Sequence, residues 1–315
     1  MQKLCIIAQK VDEHDDLLGF FVGWIREFEK HFDVEVVALH DKTPRPKLIR
    51  WIVFVYRVFR GGVGSDAIFC HMSPIFAVIA GLTSKPTYLW YLHREVSWRL
   101  LLAEKFCTKI FTASAESLNL KSKKIVALGH GIDTSRFAAN SKHEIRNSKK
   151  IKILSVGRIS PIKHYEVLLR TGLPATIVGR PIMPGDFSYF EGLKKFANAR
   201  FVGFVPYTDM PRYYAEADVI VNMAPRGGLD KAVLEGMAAG CIPLTSNDAF
   251  RPIFGAYAEL FIVPFDDAKA LAERIERLCQ LSPDEQERLR TFVTGAVQPF
   301  DLSLTIAKIS RILAG

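Results

Sequence analysis

Residues 221–247, VNMAPRGGLDKAVLEGMAAGCIPLTSN, constrain this chain more than any other stretch. An apolar run over 218–223 gives way to Pro225-Arg226-Gly227-Gly228, and apolar residues then return at helical spacing. The pattern predicts the end of a buried parallel strand, a glycine turn and a helix. Asp230 is placed to cap that helix and Gly240 to end it, which sets Lys231, Glu235 and Ala238 along one face. Glycines let a ligand approach the backbone, and the free N–H groups at a helix start favour an anion, typically phosphate.

These residues resemble the donor-binding segment of family 4 glycosyltransferases of the GT-B fold, where a Glu-x7-Glu pattern ends in Leu-Glu-Ala-Met-Ala. Glu235, in Leu234-Glu235-Gly236-Met237-Ala238, matches the second glutamate, and Gly227 stands where the first is expected. In the family the first glutamate contacts the donor sugar. Asp230 is a candidate replacement, and Lys231 is either a substitute donor contact or the partner of Glu235 one turn along. A second match follows a predicted strand at 151–156. Gly157-Arg158-Ile159-Ser160-Pro161-Ile162-Lys163 resembles the family's Gly-Arg-x-x-x-x-Lys, whose arginine and lysine hold the donor diphosphate. Negative charge grows on that diphosphate as the glycosidic bond breaks, and two fixed cations stabilise it more than the ground state.

The resemblance implies further site residues. The turn at Gly203-Phe204-Val205 would lie against the nucleotide base, and the backbone of Gly227, Gly228 and Leu229 would meet phosphate and sugar. Glu235 would hold the ribose hydroxyls. His93 ends a predicted strand at 87–92 and resembles the family's strand-end histidine beside the donor sugar. Gly19 belongs to the loop after the first strand, which in the family faces the cleft and approaches donor phosphate or acceptor. His71 also follows a strand, at 66–70, and is a weaker candidate on position alone. The acids Asp12, Glu13, Asp15 and Asp16 read either as acceptor-binding or as solvated loop. Gly129-His130-Gly131-Ile132-Asp133 resembles the family's Asn-Gly-Val-Asp turn ahead of a phenylalanine, here Phe137, and marks the end of the first domain.

The implied fold is α/β, GT-B, with two Rossmann-like domains facing across a cleft. The expected division is an acceptor domain over 1–140, a polar linker over 141–150, a donor domain over 151–295 and a final segment, 296–315, crossing back. The implied reaction is retaining transfer of a sugar from a nucleotide-diphosphate sugar to a hydroxyl of a glycan or lipid-linked glycan, without metal or other cofactor. A non-catalytic nucleotide- or glycan-binding scaffold and a sugar-nucleotide epimerase are the alternatives. There is no Gly-x-Gly-x-x-Gly after a strand, no Gly-x4-Gly-Lys-Ser/Thr, no Gly-x-Ser-x-Gly, no zinc spacing and no strand-end Asp-x-Asp. These absences weaken dehydrogenase, P-loop, hydrolase and metal-dependent transferase readings.

Composition enters through partners. The net charge is +9, and residues 1–149 carry +7 of it. Such a bias suits a solvated face, an anionic membrane surface, an acidic acceptor or nucleic acid; the last is not expected here. Residues 46–60, PKLIRWIVFVYRVFR, form a predicted helix with Lys47, Arg50, Arg57 and Arg60 on one side. Packing in the domain with the basic stripe outward is favoured, because the apolar arc is wide enough to contact protein on two sides. A basic amphipathic helix with Trp51 and Phe54 at a bilayer interface is the alternative. No apolar run approaches the roughly 20 residues of a spanning helix, and Met1-Gln2-Lys3 leads into a strand rather than a signal peptide. The five cysteines are scattered and read as reduced core residues. A cytoplasmic monomer, with the inner membrane face as an alternative site, is the expectation.

The remaining elements are short strands at 4–8, 34–39, 109–114, 124–128, 175–179, 200–205 and 260–263. Helices are expected up to about residue 30, at 75–82, after Ser117, through about 170, at 187–198, 210–217 and 268–281, and over 283–312 with breaks at Gly295 and Pro299.

Overall fold

The computed structural model describes residues 1–15, 18–41, 43–138 and 151–315, and the expected linker at 141–150 lies outside them. The chain divides into two units, one of Met1–Gly131 with Leu302–Gly315 and one of Ile132–Asp301. The divisions fall at 131 and 301, not at 140 and 295. Residues 132–138 follow the glycine turn into the second unit, where Phe137 is buried against Tyr207 and Tyr214.

In the first unit, strands β1 (Lys3–Lys10), β2 (Asp33–His40), β3 (Ala67–His71), β4 (Thr87–Trp90), β5 (Lys109–Thr112) and β6 (Ile125–Ala127) form one parallel sheet in the order β2-β1-β3-β4-β5-β6. Strands buried on both faces read as unbroken apolar runs, and β3 and β4 are buried along their whole length. Helix α1 (Phe21–Phe28) packs on the face that carries Leu4, Ile6, Phe69 and Trp90. Helices α2 (Lys47–Val63), α3 (Pro74–Gly81) and α4 (Trp98–Phe106) cover the other face, over Cys5, Ile7, Ile68 and Leu89.

The second unit opens with α5 (Thr134–Ala138) and alternates β7 (Ile153–Val156), α6 (Tyr165–Leu169), β8 (Ala175–Val178), α7 (Pro184–Leu193), β9 (Ala199–Gly203), α8 (Met210–Glu216), β10 (Val219–Asn222), α9 (Lys231–Ala238) and β11 (Ile242–Thr245). It ends with α10 (Arg251–Phe254), α11 (Ala258–Phe261), α12 (Ala268–Gln280) and α13 (Pro283–Val297). Its parallel sheet runs β11-β10-β7-β8-β9. The order reverses between β7 and β10, and the carboxyl ends of the strands at such a switch point frame the ligand crevice of open α/β sheets. The last helix, α14 (Leu302–Leu313), belongs to the first unit, where Leu302, Ile306, Ile309 and Leu313 join the core beneath α1.

Four expectations are corrected. Residues 260–263 are not a strand: Phe261 ends α11 with its ring edge-on to Phe254, and only Ile262 bridges to Thr245. The segment at Ser117 closes as a single turn, Ala115–Ser117, tied by the Ser114 and Ser117 hydroxyls at 3.0 Å. Helix α13 runs through Gly295 and stops only at the turn holding Pro299.

The fourth concerns α2, which contacts protein along one side, through Phe54, Val58, Gly61 and Gly62 with Trp51 and Val55 partly buried beside them, rather than on two sides. The side opposite that stripe is apolar, not basic. Leu48, Ile52, Tyr56 and Val63 recur there at helical spacing and are 60–73% exposed. Trp51 and Phe54 instead turn inward onto Phe76.

Candidate active site

The residues singled out in the second unit gather at the switch point. The loop after β7 carries Gly157, Arg158 and Lys163, and the loop after β10 carries Gly227 to Asp230. Asp230 caps α9, its Oδ1 accepting from the Ala232 N–H at 3.1 Å. Its Oδ2 accepts from Asn222 Nδ2 at 2.9 Å and from the Lys163 ammonium. One carboxylate thus ties the end of β10, the start of α9 and the cation of the β7 loop together. Burial pushes the Asp230 carboxyl up, but Lys163 and the bonds from Ala232 and Asn222 outweigh it and hold the group below its ordinary range. With these partners Asp230 organises Lys163, the end of β10 and the start of α9.

Arg158 lies 3.6 Å from Asp186, a buried acid at the start of α7 that also accepts from the Met183 N–H at 2.9 Å. The guanidinium is anchored from behind and stays partly exposed. The strand ends here approach too closely for side chains. At Gly179, φ is +142° and an added Cβ would stand 1.9 Å from the Gly157 carbonyl oxygen. Gly203 adjoins it, accepting from the Gly179 N–H at 2.9 Å, and the Arg180 guanidinium lies over the Phe204 ring at 5.3 Å. Val205 is buried. Gly179, Arg180 and Asp186 carry no motif and were missed; the one available signal was a glycine closing a predicted strand at 175–179.

Glu235 is 6% exposed and accepts from Tyr214 Oη at 2.8 Å. Burial raises its carboxyl above the ordinary range, with Lys231 and the hydroxyls of Tyr214 and Tyr207 opposing. Lys231, one turn earlier, lies 5.7 Å over the Tyr207 ring, and burial pulls its ammonium down to about 7 against the attraction of Glu235 and Asp230. Lys231 and Glu235 thus act on each other electrostatically within the same buried turn of helix. Tyr207 and Tyr214 were also missed, since neither sits in a recognisable pattern.

Gly227 holds φ +130°, where a side chain is strained, so the loop has a backbone that does not simply accept the family's glutamate. Asn247 Nδ2 donates to the Gly228 carbonyl at 3.0 Å and pins the turn, while Leu229 is buried. Beside this loop a cavity of about 640 Å³ opens at the ends of β10 and β11, with Arg226, Arg251 and Arg274 among its walls. Arg251 is paired with Asp248 and Glu259; Arg226 and Arg274 have no ion pair among the described residues.

His93 follows β4, is exposed, and meets the Tyr91 ring edge-on at 5.3 Å. Gly19 donates to the Asp15 carbonyl at 3.2 Å, and a Cβ there would stand 2.7 Å from the Glu13 carbonyl, so closure of its own loop already explains the glycine. Lys10 is shared between Asp12 and Asp15 and Arg26 is paired with Glu13, so two cations face these three acids; Asp16 lies outside the described residues. His71 is a core residue, 2% exposed and stacked on Phe21 at 3.9 Å.

Comparison with known proteins agrees with the resemblance read from the motifs. Residues 150–280 match the model of the family described as glycosyl transferases group 1. No curated protein matches the chain. Among solved structures it is similar over its whole length to Anabaena Alr3699/HepE in complex with UDP and glucose, with 15% identity, a TM-score of 0.74 and all of both chains covered. It is likewise similar to sucrose-phosphate synthase from Thermosynechococcus elongatus, at 16% identity and TM-score 0.74, covering 99% of this chain and 98% of that one. The UDP-forming α,α-trehalose-phosphate synthase from Burkholderia xenovorans, in complex with glucose-6-phosphate, matches at 13% identity and TM-score 0.73, over 99% of this chain and all of the other. The chain has the α/β, GT-B fold of these glycosyltransferases and resembles group 1 over the residues that match.

Proposed function

We propose that this protein transfers a sugar, with retention of anomeric configuration, from a nucleotide-diphosphate sugar to a hydroxyl of a glycan or lipid-linked glycan. One observation carries the reading: two anchored cations, Arg158 and Lys163, flank a capped helix start and a glycine turn at the switch point of one sheet. That arrangement suits a diphosphate whose charge increases as the sugar departs. Lys163 is oriented by Asp230 and Arg158 by Asp186, so neither cation has to be reorganised in the transition state. The leaving diphosphate oxygen takes the acceptor proton as the new glycosidic bond forms, and the chemistry requires no bound cofactor.

Glu235 accepts from the hydroxyls of Tyr214 and Tyr207, and a carboxylate has about four lone-pair sites, which leaves acceptor capacity for ribose hydroxyls. In this reading His93 lies by the sugar, Phe204 and Val205 by the base, and Gly227 to Leu229 by the phosphate. HepE in complex with UDP and glucose makes uridine nucleotides the first donors to test. The cavity holding Arg226 and Arg274, which have no ion pair among the described residues, adds uronic-acid donors to the panel.

The test is thermal stability against nucleoside diphosphates and nucleotide sugars. A ligand at 100 times its Kd should stabilise by roughly 2.7 kcal/mol, and Arg158→Ala with Lys163→Ala should lose that response. If no nucleotide stabilises the wild type, the reading fails. A nucleotide sugar that binds but is never transferred favours a scaffold, and a sugar altered without any acceptor favours an epimerase.

A further inference from the structure

We propose that the outer face of the α2–α3–α4 layer docks on an anionic lipid bilayer. The inference stands on the first unit alone and does not depend on the donor-site reading.

Scattered exposed hydrophobics are normal on any protein, whereas a contiguous patch marks an interaction surface. Nine of the fifteen large hydrophobic side chains that the described residues leave exposed belong to this one layer or its adjoining turns. On α2, Leu48, Ile52, Tyr56 and Val63 form a continuous stripe opposite the buried Phe54 and Val58, with Ile49 beside it. On α4, Trp98 is 66% and Leu101 50% exposed, one turn apart. Both helices cover the same face of the sheet, with α3 packed against each, so their outer sides belong to one surface.

Charge selects the occupant. Helix α2 contains Lys47, Arg50, Arg57 and Arg60 and no acid. Asp41 is shared between Arg57 and Arg45 and offsets only one of the two charges, while Lys47 and Arg60 have no ion pair among the described residues. Arg99 lies against the Trp98 ring, at 5.4 Å. An apolar stripe edged by long basic side chains fits acyl chains beneath anionic headgroups, the cations reaching up to the phosphates. A second copy of the chain would bring arginine against arginine and is disfavoured. No helix of the described residues is long and apolar enough to cross a membrane, so α2 would lie in the interface. At 1.5 Å per residue it would extend about 25 Å along that surface.

The experiment is co-sedimentation of the full chain with vesicles of phosphatidylglycerol and phosphatidylcholine, or of phosphatidylcholine alone, together with tryptophan emission. Trp98 is far more exposed than Trp24 or Trp90, so its burial in lipid should shift emission to the blue. Binding is expected for anionic vesicles only, and should weaken by about tenfold or more between 0.1 M and 1 M salt, as the Debye length falls from about 10 Å to 3 Å. Ile52→Glu with Tyr56→Glu should lower the bound fraction at least about tenfold, whereas Phe187→Glu, on an exposed residue of the second unit, should not. Unchanged far-ultraviolet circular dichroism confirms that the variants fold. The proposal is overturned by absence of binding to anionic vesicles at low salt, by undiminished binding of the double variant, or by self-association through this face without lipid.

Discussion

At the scale of single residues, Asp230 and Lys231 are neighbours with opposite electrostatic fates. Asp230 sits below its ordinary value, so it stabilises the fold above pH 3.8, and that contribution is lost as pH falls through the lower folded value. Asparagine is as good a helix cap as aspartate. Asp230→Asn therefore separates the cap from the ion pair: it should cost about 1–2 kcal/mol in urea unfolding, flatten the acid limb, and weaken nucleoside diphosphate binding roughly tenfold. Lys231 titrates near 7 when folded and at 10.5 ordinarily. Between those values the unfolded chain holds a proton that the folded chain has released, so this residue makes stability rise with pH. Lys231→Met should raise the urea midpoint at pH 7 and remove that rise up to about pH 10; an unchanged slope would contradict the burial argument. Glycine, arginine and lysine at 157, 158 and 163 were legible because they stand in a pattern that resembles the family's Gly-Arg-x-x-x-x-Lys. Asp186, which anchors Arg158, and Tyr214, which holds Glu235, were not. Asp186 and Tyr214 act through contacts 28 and 21 positions away in sequence, with no repeat or motif to announce them.

At the scale of elements, α9 shows how one position tunes helix-on-sheet packing. The family pattern Leu-Glu-Ala-Met-Ala has alanine where this chain has Gly236, and a Cβ there would stand 2.8–3.2 Å from the Ile220 side chain on β10. Alanine gains about 1 kcal/mol of helix propensity, yet overpacking typically costs 1–3 kcal/mol, so Gly236→Ala should be neutral to destabilising by chemical denaturation. Gly192, near the end of α7 with open space around it, is the contrast: Gly192→Ala should stabilise by about 0.5–1 kcal/mol. Most strands and helices could be read from apolar runs and turn residues. The exception at 260–263 is instructive, since Leu-Phe-Ile-Val is as good a strand as a helix until the pocket for Phe261, between Phe254 and Phe292, decides. Likewise, a 3.6-residue period in α2 identified a helix and not which side of it met protein.

At the scale of the whole molecule, two units carry separate cores, and all four tryptophans, Trp24, Trp51, Trp90 and Trp98, belong to the first. Ile309→Ala, in the helix that returns to that core, should destabilise by about 2–5 kcal/mol and lower the unfolding midpoint reported by tryptophan emission. A nucleotide that binds the second unit should still stabilise that unit in the same variant, as seen by circular dichroism. The amino-acid sequence by itself determined the α/β class, the two-part organisation, the strand-end cations Arg158 and Lys163 and the helix that begins at Asp230. The class and the helix follow from apolar period and turn chemistry, and the two cations from a pattern that resembles a known family's. Only the tertiary structure decided that Asp230 belongs to Lys163, that Glu235 is buried under two tyrosines, and that α2 leaves its apolar side uncovered. Those outcomes depend on which distant surfaces meet, because burial and pairing are properties of the assembled neighbours rather than of any one stretch of chain.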